Sequence, residues 1–595
     1  MAILIDTVRI HNFRLFRNVE ISLSRFTLLV GMNNAGKTSL LRALQIAFNG
    51  TRFMTEDDFA IVTEEKKIVI DVRIIPVDDK GERVKNFDDQ WLENFGDGIS
   101  KETDEEEFVH MRTEIALNPI TNAIELERSV LNQWQKWDDT DAWSKSAVSK
   151  GRLQLKPFHF YFKEAQRDIQ EDLRSRSSDV GRLLANLQFD ETKQQELEQQ
   201  IKDLNVNAVQ SSEDLSRLRE HLEQLQGTIG NSTATVEITP FTKNLRDLAK
   251  GVNIHLQDKD ANSLPLEYHG MGTRSWASIL AYRANISRQN EKATGENELH
   301  YPILALEEPE AHLHPNAQRT LYQQLRQMTG QQIVSTHSPF IAAQCGFEEI
   351  RYFSKTSEGS FIRSFDTRNL TDEEQRKIRR EVMNTRGELL FARAIVLGEG
   401  ETEEQALPIF AEKYWGKHWF ELGVNFIGVG GKGKYSPFIK LAHSLSIPWF
   451  ILGDGEDDAV TKLEKDLREY NLPTIKNSPN IVILNNKQSF EEYLVAQGYQ
   501  HEIKTVALPH KLEQWQIKKG QLREEDIQKA TKEVEEWQDS DVVKYCKAWK
   551  TKLAPLYAEI ISNLPDERKF PPAIGALLER ISATLRLKQK EESYV

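Results

Sequence analysis

Two groups of residues in this chain are spaced for chemistry on phosphates. The first is a glycine loop, Gly31–Thr38, which fits G-x-x-x-x-G-K-[ST] through Gly31, Gly36, Lys37 and Thr38. Glycines let backbone N–H groups close around phosphate oxygens at a helix N-terminus. Lys37 would then reach the β- and γ-phosphates, and Thr38 would hold Mg2+. Asn34 and Ser39 fall in the same stretch, and the whole reads as an ATP site. The second group is acidic: Glu399, Glu401, Glu403 and Glu404, then Asp454, Glu456, Asp457 and Asp458, then Glu491 and Glu492. Each set follows a short apolar run. Oxygen-rich clusters at the carboxyl ends of parallel strands suit Mg2+ or Mn2+.

These residues need elements to hold them. Phe26–Leu41 reads as an apolar strand, the loop and a helix, with Leu40, Leu41, Leu44 and Phe48 on one face of Thr38–Phe48. The alternating runs before it predict a hairpin of half-buried strands, and Lys67–Ile75 and Arg112–Leu117 predict two more strands. Trp134, Trp137 and Trp143 sit among charges and suit a local core or partner contact better than base stacking. Glu191–Ile229 carries apolar residues in steps of three and four with a polar break at Gln210–Asp214, the pattern of a short antiparallel helical arm. Two further apolar strands end in chemistry. Tyr301–Pro315 brings Glu307, to hold Mg2+ through water, and Glu308, to orient an attacking water; Gln331–Pro339 brings His337 toward a γ-phosphate. After a charged, helix-prone connector at 366–390, strands and helices alternate, as in a parallel sheet.

Length and composition agree with several large cores. At ~150 residues per domain, 595 residues predict about three or four domains. Cys345 and Cys546 are the two cysteines, far apart, which excludes a disulfide scaffold or cysteine-rich zinc module and suits a reducing compartment. No basic leader with a long apolar stretch and no 18-residue apolar run occurs, so the expectation is a cytoplasmic protein without a membrane partner. The net charge of −14 neither demands nor forbids a local basic groove for nucleic acid.

The order of glycine loop, His269–Ser275 (HGMGTRS), double glutamate and histidine resembles the RecF/SMC-related ABC ATPases over about residues 1–365. The wording EEPEAHLHP with STHSP resembles the OLD (overcoming lysogenization defect) family in particular. That resemblance implies that Gln166, at the end of the strand within Phe158–Asp168, senses metal and γ-phosphate. It further implies that Gly270, Gly272 and Ser275 complete the ATP site of a second head, so at least a homodimer, with dimer against tetramer left open. E-G-x-x-E followed by D-x-[DE] resembles the Toprim domain over about residues 391–500, and ATPase plus Toprim is the OLD architecture, including Gabija-type defence nucleases. Glu399 and Glu403 match its first motif, Asp454 and Glu456 its second, and Glu491 a later acidic position. Glu456 departs from the common D-x-D, and Asp458 could substitute. OLD nucleases also place a lysine near the end, for which Lys569 is the candidate.

The fold expected is therefore α/β: an ABC-type (RecF/SMC-like) ATPase domain with a helical arm insertion at about 185–230, then a Toprim α/β domain and a mostly helical part over 501–595. The function implied is ATP-regulated, metal-dependent cleavage of DNA in prokaryotic defence, with a helicase or retron partner left open. A non-catalytic ATP-driven clamp or scaffold is the alternative, and a Toprim topoisomerase or primase is a weaker third.

Overall fold

The computed structural model describes residues 2–51, 54–59, 67–102, 104–118, 120–121, 123–131, 133–138, 140–149, 154–164, 191–216, 255–256, 264–356, 359–365, 370–431 and 433–588. Gln166 and the second half of the expected arm lie outside these residues. The first half is the helix Glu191–Ser211. Among the described residues no helix is long and apolar enough to cross a membrane.

Strand periodicity builds the first half. Ala2–Phe13 and Phe16–Ser22 form the expected hairpin, and Lys67–Val77 and Glu107–Leu117 continue it into a seven-stranded antiparallel sheet. A six-stranded sheet packs beside it in the order Gly359–Ser364, Ile350–Thr356, Phe26–Gly31, Gln331–Ser335, Tyr301–Glu307, Phe158–Lys163; the last five strands are parallel. Alternation along Phe26–Gly31 sends Leu29 into one core and Leu28 and Val30 into another. The helix Lys37–Asn49 is held in the first core by Leu40, Leu41, Leu44 and Phe48, between the two sheets.

The tryptophan cluster is local core. The Arg9 guanidinium lies 4.1 Å from the Trp134 ring, 5.6 Å from Trp137 and 5.9 Å from Trp143. Buried Arg112 ties this layer down through Asp71 and the carbonyls of Trp143 and Ser144.

Beyond the connector a four-stranded parallel sheet forms in the order Val424–Gly428, Ala394–Gly398, Trp449–Gly453, Ile481–Ile483. Its two faces differ in what they bury. Ala394 and Val396 pack against the helices Glu401–Trp415, Lys550–Ser562 and Pro572–Leu585. Ile395 and Leu397 join a core that runs unbroken through the connector (Ile378, Val382, Leu389) to Leu28, Val30 and Val334 of the six-stranded sheet. The two sheets thus share one apolar interior.

Candidate functional site

At the first sheet, register brings the chemistry to one edge: Glu307 pairs with Ser335, and Gly31 with Phe353. Gly31 has φ 128°, and a Cβ there would stand 2.1 Å from the Phe353 carbonyl oxygen, so only glycine fits. Asn34 is left-handed (φ 56°), as is Gly36 immediately before the helix. Ser39 is buried in the first turn. The buried Lys37 ammonium donates to the carbonyls of Gly31 and Met32, both at 2.9 Å. Burial lowers its pKa to about 8, against the opposing pull of Glu308, Glu307 and Glu310. Thr38 donates directly to Glu307, so the two residues expected to share an ion already touch.

His337 Nε2 lies 3.7 Å from Glu308 Oε1. Burial, then the Lys37 charge, lowers its pKa to about 4, leaving a neutral imidazole at pH 7. Sequence reasoning passed over Glu310, although it stands in the same EEPE run. Its carboxylate accepts from Thr336 Oγ1 at 2.6 Å and from the His337 N–H at 2.8 Å, which fixes the histidine turn. Gly270 precedes the helix Met271–Gly295 and is exposed, whereas Gly272 is packed under the His312 carbonyl and Ser275 is buried in its own chain.

At the second sheet Glu399 and Asp454 each stand one residue past neighbouring parallel strands. Glu403 lies in the first turn of Glu401–Trp415 and accepts from the Gly400 N–H at 2.9 Å. A Cβ on Gly398 would come 2.4 Å from the Cβ of Glu403, so this glycine lets the helix settle on the strand end. Glu491, at the start of Phe490–Ala496, accepts from Thr402 Oγ1 at 2.8 Å. Glu399, Glu403 and Glu491 are buried. Burial, then the charges of Glu491 and Glu399, push Glu403 up to about 7. Burial, then Glu403, Glu399 and Glu491, push Asp454 up to about 8. Charge thus couples these four carboxylates, and Asp454 Oδ1 is buried without a hydrogen-bond partner among the described residues. The donor chemistry, all carboxylate oxygen, suits a divalent cation, while the ligand atoms gathered within 4.8 Å of one another among the described residues are those of Glu102, Asp104 and Glu106.

Glu456 occupies the position before the helix Asp457–Glu469 and is half-buried, while Asp458 is exposed on its first turn. Lys569 sits 3.7 Å from Asp566 and beside Phe570. The charge of Lys550, at the start of Lys550–Ser562, favours ionised Asp454. A tighter acidic trio, Glu102, Asp104 and Glu106, is held by Arg73 and Arg83 on the antiparallel sheet.

The connector and the turn that ends it, Gly387–Phe391, touch both sites. The Phe391 ring is 5.9 Å from that of His337, and a Cβ on Gly387 would stand 2.9 Å from the Pro339 carbonyl. One turn away, Arg386 pairs at 2.6 Å with Glu404, the residue after Glu403.

Comparison with known proteins matches the same two units. The AAA ATPase domain family covers residues 4–342, and the Overcoming lysogenization defect protein-like TOPRIM domain covers 390–455. The chain belongs to the OLD family. Its ATPase domain accounts for more than half its length, and the TOPRIM match spans Glu399, Glu403 and Asp454. The OLD nuclease of Thermus scotoductus is 24% identical over 474 residues, 76% of this chain and 82% of that one. The Old nuclease of Escherichia phage P2 is 22% identical over 477 residues, 76% and 77%. Among solved structures, the C-terminal region of the Xanthomonas campestris OLD protein is 23% identical (TM-score 0.26; 33% of this chain, 98% of that one). An Smc head bound to the C-winged helix domain of ScpA is 15% identical (TM-score 0.33; 63% and 99%).

Proposed function

We propose that this OLD-family nuclease is an ATP-regulated, divalent-metal-dependent DNA endonuclease that acts in prokaryotic defence against phage or other foreign DNA. The observation that carries the reading is the position of Glu399 and Asp454 one residue past neighbouring parallel strands, with Glu403 and Glu491 buried at two helix starts and coupled to them by charge. Burying like charges together is costly unless a cation joins them. Mg2+ or Mn2+ bound there would activate a water and stabilise the leaving 3′-oxygen of a phosphodiester. Glu399, Glu403, Asp454 and Glu491 would hold it, with Glu456 and Asp458 on the rim toward solvent. Lys550, in electrostatic reach of Asp454, would neutralise charge on the phosphate, a role for which the family resemblance offers Lys569.

ATP would bind at Gly31–Thr38 with Lys37 on its phosphates, and Mg2+ would lie with Thr38 and Glu307. Gly270, the exposed member of the helix start, would complete the site of a second copy, which makes the working form a homodimer at least, in the cytoplasm. Regulation would pass along the connector, because Phe391 adjoins His337 and Arg386 holds the turn that carries Glu403.

DNA cleavage by wild type, Lys37→Ala and Glu399→Ala, each with and without ATP, tests this reading. Glu399→Ala should lose cleavage by at least about 100-fold while retaining ATP binding. Cleavage unchanged in that variant sinks the assignment. Lys37→Ala should lose the response to ATP: if it still cuts, ATP is a regulator, and if it stops, ATP binding is required.

A further inference from the structure

Gly430, Gly431, Gly433 and Lys434 precede the helix Ser436–Ser444, and Tyr435 stands at its start. Gly430, Gly431 and Gly433 are left-handed, and the Gly431 N–H donates to the Glu399 carbonyl beside the first acidic turn at 2.9 Å. The effect is to bury the Tyr435 ring almost completely, at 1% exposure. Its hydroxyl lies 3.5 Å from where a Cβ on Gly453 would be, next to Asp454 on the chain. That hydroxyl has no hydrogen-bond partner among the described residues, and neither has Asp454 Oδ1. The charges that act on it are those of Glu399 and Glu403 from the first motif and Asp454 from the second.

A buried phenol with nothing to bond is unfavourable as a structural element, since phenylalanine would fill the same space without the desolvated hydroxyl. Carboxylates that hold a metal ion have the opposite need. Each turns one oxygen to the ion and leaves another that requires a donor, and such outer donors orient the ligand and raise affinity. A tyrosine hydroxyl is a donor that stays neutral among carboxylates, so it can serve this need without competing with the cation.

We propose that Tyr435 is a positioning residue of the nuclease centre, its hydroxyl donating to the carboxylate shell of the metal site at Asp454. The proposal rests on the nuclease reading above, and Tyr435 acts on the metal ligands and not on DNA.

The test is Tyr435→Phe in the full chain, with Mn2+ binding followed by calorimetry and thermal unfolding measured with and without Mn2+. Without metal the variant should unfold at or above the wild-type temperature, because it loses only an unbonded hydroxyl. Mn2+ affinity should fall about 10-fold, and cleavage should recover as Mn2+ is raised. In an Asp454→Asn background the same change should cost no further affinity. A clear loss of metal-free stability, or failure to fold, would make the hydroxyl structural and overturn the proposal. So would unchanged Mn2+ affinity in a folded variant. Should wild type itself bind no Mn2+ at these carboxylates, the nuclease reading fails first, which separates the two.

Discussion

At the glycine loop three glutamates face a lysine, a threonine hydroxyl and a neutral histidine; at the second sheet four carboxylates face mainly one another. Lys37 lies among Glu307, Glu308 and Glu310, Thr38 already holds Glu307, and Glu310 fixes the turn of His337. The first site is thus assembled around a cation the protein supplies. At the second, Glu403 and Asp454 retain protons to about 7 and about 8 because burial and like charge oppose ionisation, with the exposed Lys550 as the named opposing charge at Asp454. The difference teaches that the second site, on the proposed reading, would draw its cation from outside, whereas the first arranges its charges in advance of ligand.

The largest expected break in this comparison concerns the lysine at the second site. Lys550→Ala should lower cleavage about 100-fold, the usual cost of removing a group that stabilises developing charge, while Mn2+ binding persists. Lys569→Ala, whose neighbours are Asp566 and Phe570, should stay within about 3-fold of wild type. The reverse order in a cleavage assay would return the role to Lys569.

A smaller effect should appear where the sites are joined. Arg386→Ala removes the ion pair to Glu404 without touching either set of ligands. Nucleotide binding and ATP-free cleavage should be nearly unchanged, and the factor by which ATP alters cleavage should shrink about 5-fold, as expected when a coupling contact is lost. An unaltered ATP response would mean that the shared apolar interior, and not this contact, carries the coupling.

How much of this was legible in the sequence depends on range. Gly31, Gly36, Lys37 and Thr38 are neighbours in the chain, and local backbone chemistry dictates their arrangement. Glu307, His337, Glu399 and Asp454 were legible because each ends an apolar strand, and strand ends in parallel sheets converge. Lys550 and Tyr435 were not: one begins a helix about a hundred residues from Asp454, and the other follows a glycine run that reads as an ordinary loop. Their positions come from helix packing and from left-handed glycine turns, which no spacing rule encodes. Glu310 was visible in its motif, but its neighbours Glu307 and Glu308 offered the more obvious chemistry. The tryptophans at 134, 137 and 143 show the converse, for the cation they enclose is Arg9, far away in sequence.

The smallest effect is in stability against pH, and its sign separates the two sites. Unfolded carboxyls ionise near pH 4, whereas folded Glu403 and Asp454 hold protons to about 7 and about 8. Between those limits the folded chain binds more protons than the unfolded one, so metal-free stability should fall as pH rises and level off above about 8. His337, lowered to about 4, acts oppositely: its unfolded form takes up protons below about 6.5, so its contribution rises with pH and is complete near neutrality. Lys37, lowered to about 8, also adds stability as pH rises, but only above that value. The window from about pH 7 to 8 therefore reports chiefly on the second site. There the metal-free unfolding temperature of wild type should drop by about 3 °C, and Asp454→Asn, which cannot ionise, should flatten the drop. Saturating Mg2+ or Mn2+ should reverse it, because ion binding displaces the same protons. A wild-type profile as flat as that of Asp454→Asn would mean that the four carboxylates are not coupled, and the contrast between the two sites would fall with it.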